Sequence, residues 1–154
     1  MEPIKPGTLL LSDPFLQDEN FTRTVVIICE NDKDGSFGLV VNKPFEYQLG
    51  EIVPELADLG FIPVYKGGPV KLNTLHFLHK RPDLIKKAIP LTNGIYWGGN
   101  FDELIKALQL KKIDNSELRF FVGYSGWSEN QLEDELADKS WITHTANATH
   151  IFET

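Results

Sequence analysis

Apolar residues along this chain fall in short runs with strand-like patterning, separated by polar stretches rich in glycine, proline and asparagine. Residues 7–12 read as a first strand, closed by Asp13-Pro14, because Pro14 has no N–H for a ladder and restricts the residue before it. A loop to about Asn20 follows. The β-branched run at residues 24–30 and the run at 36–41 flank Asn31-Asp32-Lys33-Asp34-Gly35, a five-residue connection whose turn formers predict an antiparallel hairpin. Residues 49–56 suit a short helix that Pro54 limits or kinks. Residues 62–65 and 74–78 read as strands on either side of Gly67-Gly68-Pro69. Asn100 followed by Glu103 predicts an N-cap and capping box, with Phe101, Leu104, Ile105 and Leu108 on one helical face and an end near Leu110. Residues 118–122 form a further apolar strand. Ser128 with Gln131 predicts a second capping box, opening a helix to about Asp138. A last strand is expected over 141–145, with Ile151-Phe152 near the end. Short strands, interspersed helices and a hairpin point to an α+β fold over a doubly wound parallel sheet.

With 154 residues, 42% of them hydrophobic and 24% charged, the chain suits a single domain over residues 1–154 and is too short for two. Its apolar runs fall far below the roughly 18 residues that span a bilayer, and Met1-Glu2-Pro3 lacks the basic and apolar pattern of a secretory leader. A cytoplasmic protein without membrane contact is expected. The net charge is −7, and the basic residues are scattered or paired only as Lys86-Lys87 and Lys111-Lys112. Duplex DNA binding wants a concentrated basic face, so the composition argues against it. The single Cys29 cannot form an internal disulfide, and within an apolar strand its thiol should be inert.

Several segments carry candidate chemistry. Gly67-Gly68-Pro69 lies between Lys66 and Lys71, and reads either as an anion-binding nest or as a tight turn. Gly123-Tyr124-Ser125-Gly126-Trp127 reads as a glycine-bracketed aromatic turn running into an amphipathic helix. It invites comparison with a nucleophile elbow, but Trp127 stands where the elbow needs glycine. The expected roles are unusual backbone angles at Gly123 and Gly126 and packing of Trp127 beneath the helix. On that helix Leu132 and Leu136 should face the core, leaving Glu133, Asp134 and Glu135 toward solvent. Arg23 offers a planar fork to a carboxylate or phosphate, or a partner to one of the chain's acids. Asn42 is placed to orient a ligand or to make an Asx-type turn. Trp97-Gly98-Gly99-Asn100 is a second glycine pair before a helix start, a generic anion position. His76 and His79 are three apart within a strand-like run, hence on opposite faces, which argues against a shared metal site. No cofactor pattern is present.

Three of these segments stand in fixed order: Gly38-Leu39-Val40-Val41-Asn42-Lys43-Pro44, Gly67-Gly68-Pro69-Val70, and Gly123-Tyr124-Ser125-Gly126-Trp127 with Gln131-Leu132-Glu133. With Gly7-Thr8-Leu9-Leu10, Asp13-Pro14 and Phe21-Thr22-Arg23, they resemble the YqgE/AlgH family of small bacterial proteins over nearly the whole chain. The resemblance implies a bifurcated, largely antiparallel sheet, partly curled into a small barrel and surrounded by helices. It implies no particular activity. The label usually attached to the family, transcriptional regulator, derives from a regulatory role attributed to a member connected with alginate production. The chain departs from the family pattern at Asn130, where glycine is common, and at Asn31, where histidine is common. Asn130 should keep a left-handed turn, and Asn31 weakens any catalytic role for a family histidine. Relatives usually continue past the Ile151-Phe152 region into another helix, so the resemblance implies a missing C-terminal helix and exposed apolar surface that favours self-association.

The expected function is therefore non-enzymatic binding or regulation, acting through a small ligand or a protein partner. Arg23, Asn42, Gly67, Gly68, Ser125, Trp127, Gln131 and Glu133 are the candidate ligand-binding residues. The alternative is a small hydrolase-like enzyme using a carboxylate such as Glu133. An enzyme requires a pocket around Glu133, whereas a binding module requires an apolar groove without coupled titrating groups.

Overall fold

In the computed structural model, which describes residues 4–13 and 23–152, the apolar runs become nine strands of a sheet. The expected break at Pro14 and the loop to Asn20 lie outside the described residues. Strands β1 (Thr8–Ser12), β2 (Val25–Asp32) and β3 (Gly35–Val40) pair antiparallel in sequence order. The expected hairpin forms with a tighter turn. Asp32 pairs with Gly35, so only Lys33 and Asp34 are left as loop and the rest of the connection is absorbed into the ladder. After Val40 the chain passes through α1 (Leu49–Ile52), a single turn that stops before Pro54, and Pro54 opens a separate 3-10 segment, Pro54–Leu59.

Then follow β4 (Val64–Lys66), β5 (Val70–His79), β6 (Ile89–Thr92), β7 (Ile95–Trp97), α2 (Phe101–Gln109), β8 (Leu118–Ser128), α3 (Gln131–Ala137), β9 (Trp141–Thr145) and α4 (Ala148–Phe152). The sheet order is β6-β7-β5-β8-β3-β2-β1-β9, with β4 pairing β8 alongside this path. All pairings are antiparallel except β4 with β8, and the sheet curls into a half-barrel with helices packed around it. Leu9, Ile27, Leu39 and Phe121 point into one core with Ile151 and Phe152 of α4. Their neighbours Leu10, Val26, Ile28 and Val40 point to the opposite face, where Leu132 and Leu136 of α3 cover them. A third cluster holds α2 against Phe77, Phe120 and Val122. Strands covered on both faces need continuous apolar runs, which is why residues 25–29 lack polar alternation. Cys29 lies in the inner core at a bulge in the β2–β3 pairing, where burial pushes its thiol pKa well up.

Strand β8 corrects the reading of the glycine-aromatic segment. The chain does not turn after residue 122. Gly123 adopts φ +69°, which kinks the strand without breaking it, and Ser125, Gly126, Trp127 and Ser128 pair with Gly38, Phe37, Ser36 and Gly35 of β3. Gly126 does not take the unusual angle expected of it; φ is positive at Gly123 alone of the two. One edge of β8 is thus occupied first by β4 at residues 120–122 and then by β3 at 125–128, while β5 runs along the other edge. The sheet forks there.

The two capping boxes form only in part. Asn100 accepts from the Glu103 N–H at 3.0 Å, but the Glu103 carboxylate reaches the Lys86 N–H instead of closing the box. Gln131 accepts from the Ser128 N–H at 2.9 Å, while the Ser128 hydroxyl donates to the same oxygen and no N3 amide is capped. Asn130 stands at the N-cap with φ 66°, the left-handed geometry expected of it.

Candidate functional site

The three glycine-centred motifs meet at the fork. The Gly67 N–H donates to the Val122 carbonyl at 2.8 Å, and the Gly67 carbonyl accepts from the Val40 N–H at 2.8 Å and from the buried Ser125 hydroxyl at 3.2 Å. A Cβ on Gly67 would lie 2.5 Å from the Gly123 carbonyl oxygen, and one on Gly68 would lie 2.2 Å from the Tyr124 carbonyl carbon and oxygen. Here backbone passes directly over backbone. Gly67, Gly68 and Ser125 are therefore brought together, with the Ser125 hydroxyl committed to a carbonyl inside the core.

The other sequence-derived candidates lie elsewhere. Asn42 accepts from the Val25 N–H and donates to the Arg23 carbonyl, both at 3.0 Å, and so ties the start of β2 to the end of β3. Arg23 is exposed, with φ 50°. Gln131 donates to Glu135, and it is Glu135 that organises the charged face of α3: its Oε1 accepts from Trp127 Nε1 at 3.0 Å and from Trp141 Nε1 at 2.8 Å. Glu133 is exposed on the outer side of α3. Trp127 is buried beneath α3, edge-on to Trp141, and also borders a shallow cleft of 210 Å³ whose other walls carry Glu30, Asp32 and Asp34.

A larger groove, 400 Å³, opens on the far side of β5, between that strand, the end of β7 and the start of α2. Leu75, Phe77, Ile89, Trp97 and Phe101 form its apolar walls, Gly98 and Gly99 its turn, and among the described residues His76 is the single titratable side chain lining it. Aromatic rings continue from the groove across the sheet. Phe37 stacks on Tyr124 with centroids 4.5 Å apart, lies 5.0 Å from Trp97, and meets His76 edge-on at 5.3 Å. All four side chains are half-buried, so the cluster is held in place yet reachable. Tyr124 belongs to the segment the sequence reading singled out, but it points away from Ser125 and Trp127 because strand residues alternate.

Burial disfavours the charged form of both histidines, and the hydrogen-bond network fixes the neutral form of His79. The Thr74 hydroxyl donates to the Lys71 carbonyl at 2.7 Å, so His76 Nε2, 3.0 Å from that hydroxyl, carries the proton and Nδ1 is left as the acceptor. Burial lowers the His76 pKa. His79, fully buried on the opposite face, accepts from the Arg81 N–H through Nδ1 and donates from Nε2 to the Gly98 carbonyl at 2.9 Å. Burial lowers its pKa as well, partly offset by the bond to Gly98 and the charge of Asp83. Gly98 is pinned a second time, its N–H donating to the Phe77 carbonyl. The wall of the groove is thus fixed through a neutral imidazole.

From the sequence, His76 is offered only as a metal partner for His79, and Trp97-Gly98-Gly99 only as a helix start or a generic anion position. The groove draws on residues 75–77, 89 and 97–101, and no local pattern links these segments. The available signal was the number of aromatic residues at strand positions.

The fold and the fork define a class of protein. The sequence profile of the DUF179 family, described as AlgH-like, matches residues 9–154, and the chain belongs to this family. It is 40% identical over 151 residues to a UPF0301 protein of Chlorobium limicola, covering 98% of this chain and 80% of that one. A UPF0301 protein of Bacteroides thetaiotaomicron is 43% identical over 137 residues, covering 88% of this chain and 69% of the other. Among solved structures, the solution structure of the AlgH protein from Pseudomonas aeruginosa is similar with a TM-score of 0.76 at 27% identity, covering 99% of this chain and 85% of that one. A crystal structure of a Corynebacterium diphtheriae protein shares the fold with a TM-score of 0.83 at 20% identity, over 98% of this chain and 81% of the other. Among the described residues, no helix is long and apolar enough to cross a membrane.

Proposed function

We propose that this is a non-enzymatic binding protein, acting in the cytoplasm, whose ligand or partner enters the groove between β5, β7 and α2, and that any regulatory role follows from that binding. One observation carries the reading: a groove with apolar and aromatic walls whose single titratable side chain, among the described residues, is a histidine with its pKa lowered by burial. Binding sites are commonly concave, apolar and furnished with a few fixed polar groups. Acid–base catalysis calls for coupled partners in reach of each other. The buried free thiol of Cys29 fits a reducing compartment. Gly67, Gly68 and Ser125 then have a positioning role, holding the fork from which Tyr124 and Phe37 reach the cluster. A hydrolase built on Glu133 has less support, since that carboxylate lies on the outer face of α3. The net charge of −7 disfavours DNA as the direct partner.

The test is a thermal-shift screen of aromatic and apolar small molecules and short peptides against the protein and Trp97→Ala. A ligand that binds only the native state raises its melting temperature. Dose-dependent shifts that vanish in Trp97→Ala support the reading. Shifts of equal size in both proteins, or turnover of an ester or amide by the protein that Glu133→Gln abolishes, would overturn it.

A further inference from the structure

The groove runs along an open backbone edge. Val122 of β8 turns its carbonyl toward β4, where it accepts from Gly67 at 2.8 Å. Its partner across the β5–β8 ladder is Leu75, while His76 pairs with Phe121. Successive residues in an antiparallel strand turn their N–H and C=O to opposite edges, so Leu75, opposite an outward-turned Val122, faces away from β8. Phe77, two residues on, does the same, and its carbonyl accepts from Gly98 at 3.0 Å. Among the described residues, Leu75 has no such neighbour outside the strands. β7 pairs with β5 only at Leu78–Trp97 and His79–Tyr96, after which Gly98 and Gly99, at φ 68° and 121°, carry the chain off into α2. Among the described residues, the β5–β7 ladder does not reach Leu75, so no β7 partner stands opposite its N–H and C=O.

We propose that the groove takes an extended peptide segment, added to β5 as a short strand in the place that β7 vacates, its backbone bonding both groups of Leu75. This inference rests on the groove being the binding site. It adds the ligand's chemistry: a compact apolar molecule would fill the walls but leave the Leu75 pair to water, whereas a peptide unit supplies an acceptor and a donor at ladder spacing. Alternate side chains of such a segment meet the apolar walls formed by Trp97, Phe101 and Ile89, which select for aromatic or aliphatic residues. Tight peptide turns and charged polymers fit neither feature.

The experiment is a random heptapeptide display selection on the intact protein, followed by synthesis of one selected peptide and a backbone N-methyl scan of it. Titration into isotope-labelled protein is followed by NMR. The expected result is a peptide that moves the groove resonances, slows exchange of the Leu75 amide, and loses about tenfold or more in affinity when the one residue facing Leu75 is N-methylated. The adjacent residue, whose N–H points away, should tolerate the methyl group. A groove-binding peptide that leaves Leu75 exchange unchanged and tolerates methylation throughout would overturn strand addition while leaving the groove as a site. Failure of every selected peptide to move groove resonances would overturn it too, and the small molecules of the thermal-shift screen then decide separately whether the groove binds at all. Because the readouts use the unmutated protein, no folding defect enters.

Discussion

An alanine Cβ on Gly123 would fall 2.6 Å from the carbonyl oxygen of Gly68, so the link between β4 and β5 crosses β8 with no room for a side chain between them. The crossing is what allows β4 and β3 to share one edge of β8. Gly123→Ala must meet both the contact and a φ of +69°, and should cost about 3 kcal/mol or more in urea unfolding. Gly94→Ala is the control: its φ is +79° but nothing lies within 4 Å of the added Cβ, so the backbone cost alone, about 1 kcal/mol, is expected. Equal losses at the two positions would show that the crossing is not tight.

Glu135 joins Trp127 and Trp141 by accepting from both indoles. Removing that shared acceptor in Glu135→Ala should cost about 2 kcal/mol, with a change in tryptophan fluorescence. Glu135→Gln retains a carbonyl oxygen and should lose less. Glu133→Ala, on the exposed side of the same helix, should stay within about 0.5 kcal/mol of the parent. Chemical denaturation of the three variants separates these outcomes.

Much of this arrangement was legible in the chain. The hairpin of β2 and β3, the Asn100 cap, the inward face of α3 at Leu132 and Leu136, and β9 follow from local patterning, because each depends on residues a few positions apart. The kinked passage of β8 through Gly123 was not. Two glycines and a tryptophan before a helix look like a turn, and only the pairing of residues 125–128 with the distant residues 35–38 of β3 keeps them in a sheet. Glu135 was likewise overlooked in favour of Glu133, since which carboxylate turns back toward the indoles depends on where β9 returns. The fold resemblance supplied the fork; periodicity alone did not.

Asn130 holds φ 66° ahead of α3. Asn130→Gly should stabilise by about 0.5 kcal/mol, since glycine meets no steric penalty there, while Asn130→Ala should destabilise by about 1 kcal/mol. Melting temperatures in the order Gly above Asn above Ala are expected; Ala above Gly would show that the left-handed turn is dispensable.

His79 is buried and neutral, with its pKa lowered from the ordinary 6.5, mainly by burial. The unfolded chain therefore binds a proton that the folded one refuses. Stability from this site is fully present above pH 6.5 and declines as pH falls below it toward the lower folded value. His76, lowered by burial too, adds to the same trend. Unfolding free energies measured from pH 7.5 to 5 should fall, and a His79→Gln variant should show a shallower slope. A stability that rises on acidification through this window would contradict the lowering of both pKa values by burial.

The most direct test of the groove as the binding site is a fragment screen mapped by NMR on the isotope-labelled protein. Small aromatic and apolar fragments find the surface best built to bind them without any assumption about the natural ligand. Hits should converge on the amides of Leu75, His76, Trp97, Gly98, Gly99 and Phe101, and should weaken together in Trp97→Ala. Hits that converge instead on the cleft beside Trp127, or scatter over the surface with no preference for the groove, would contradict the account.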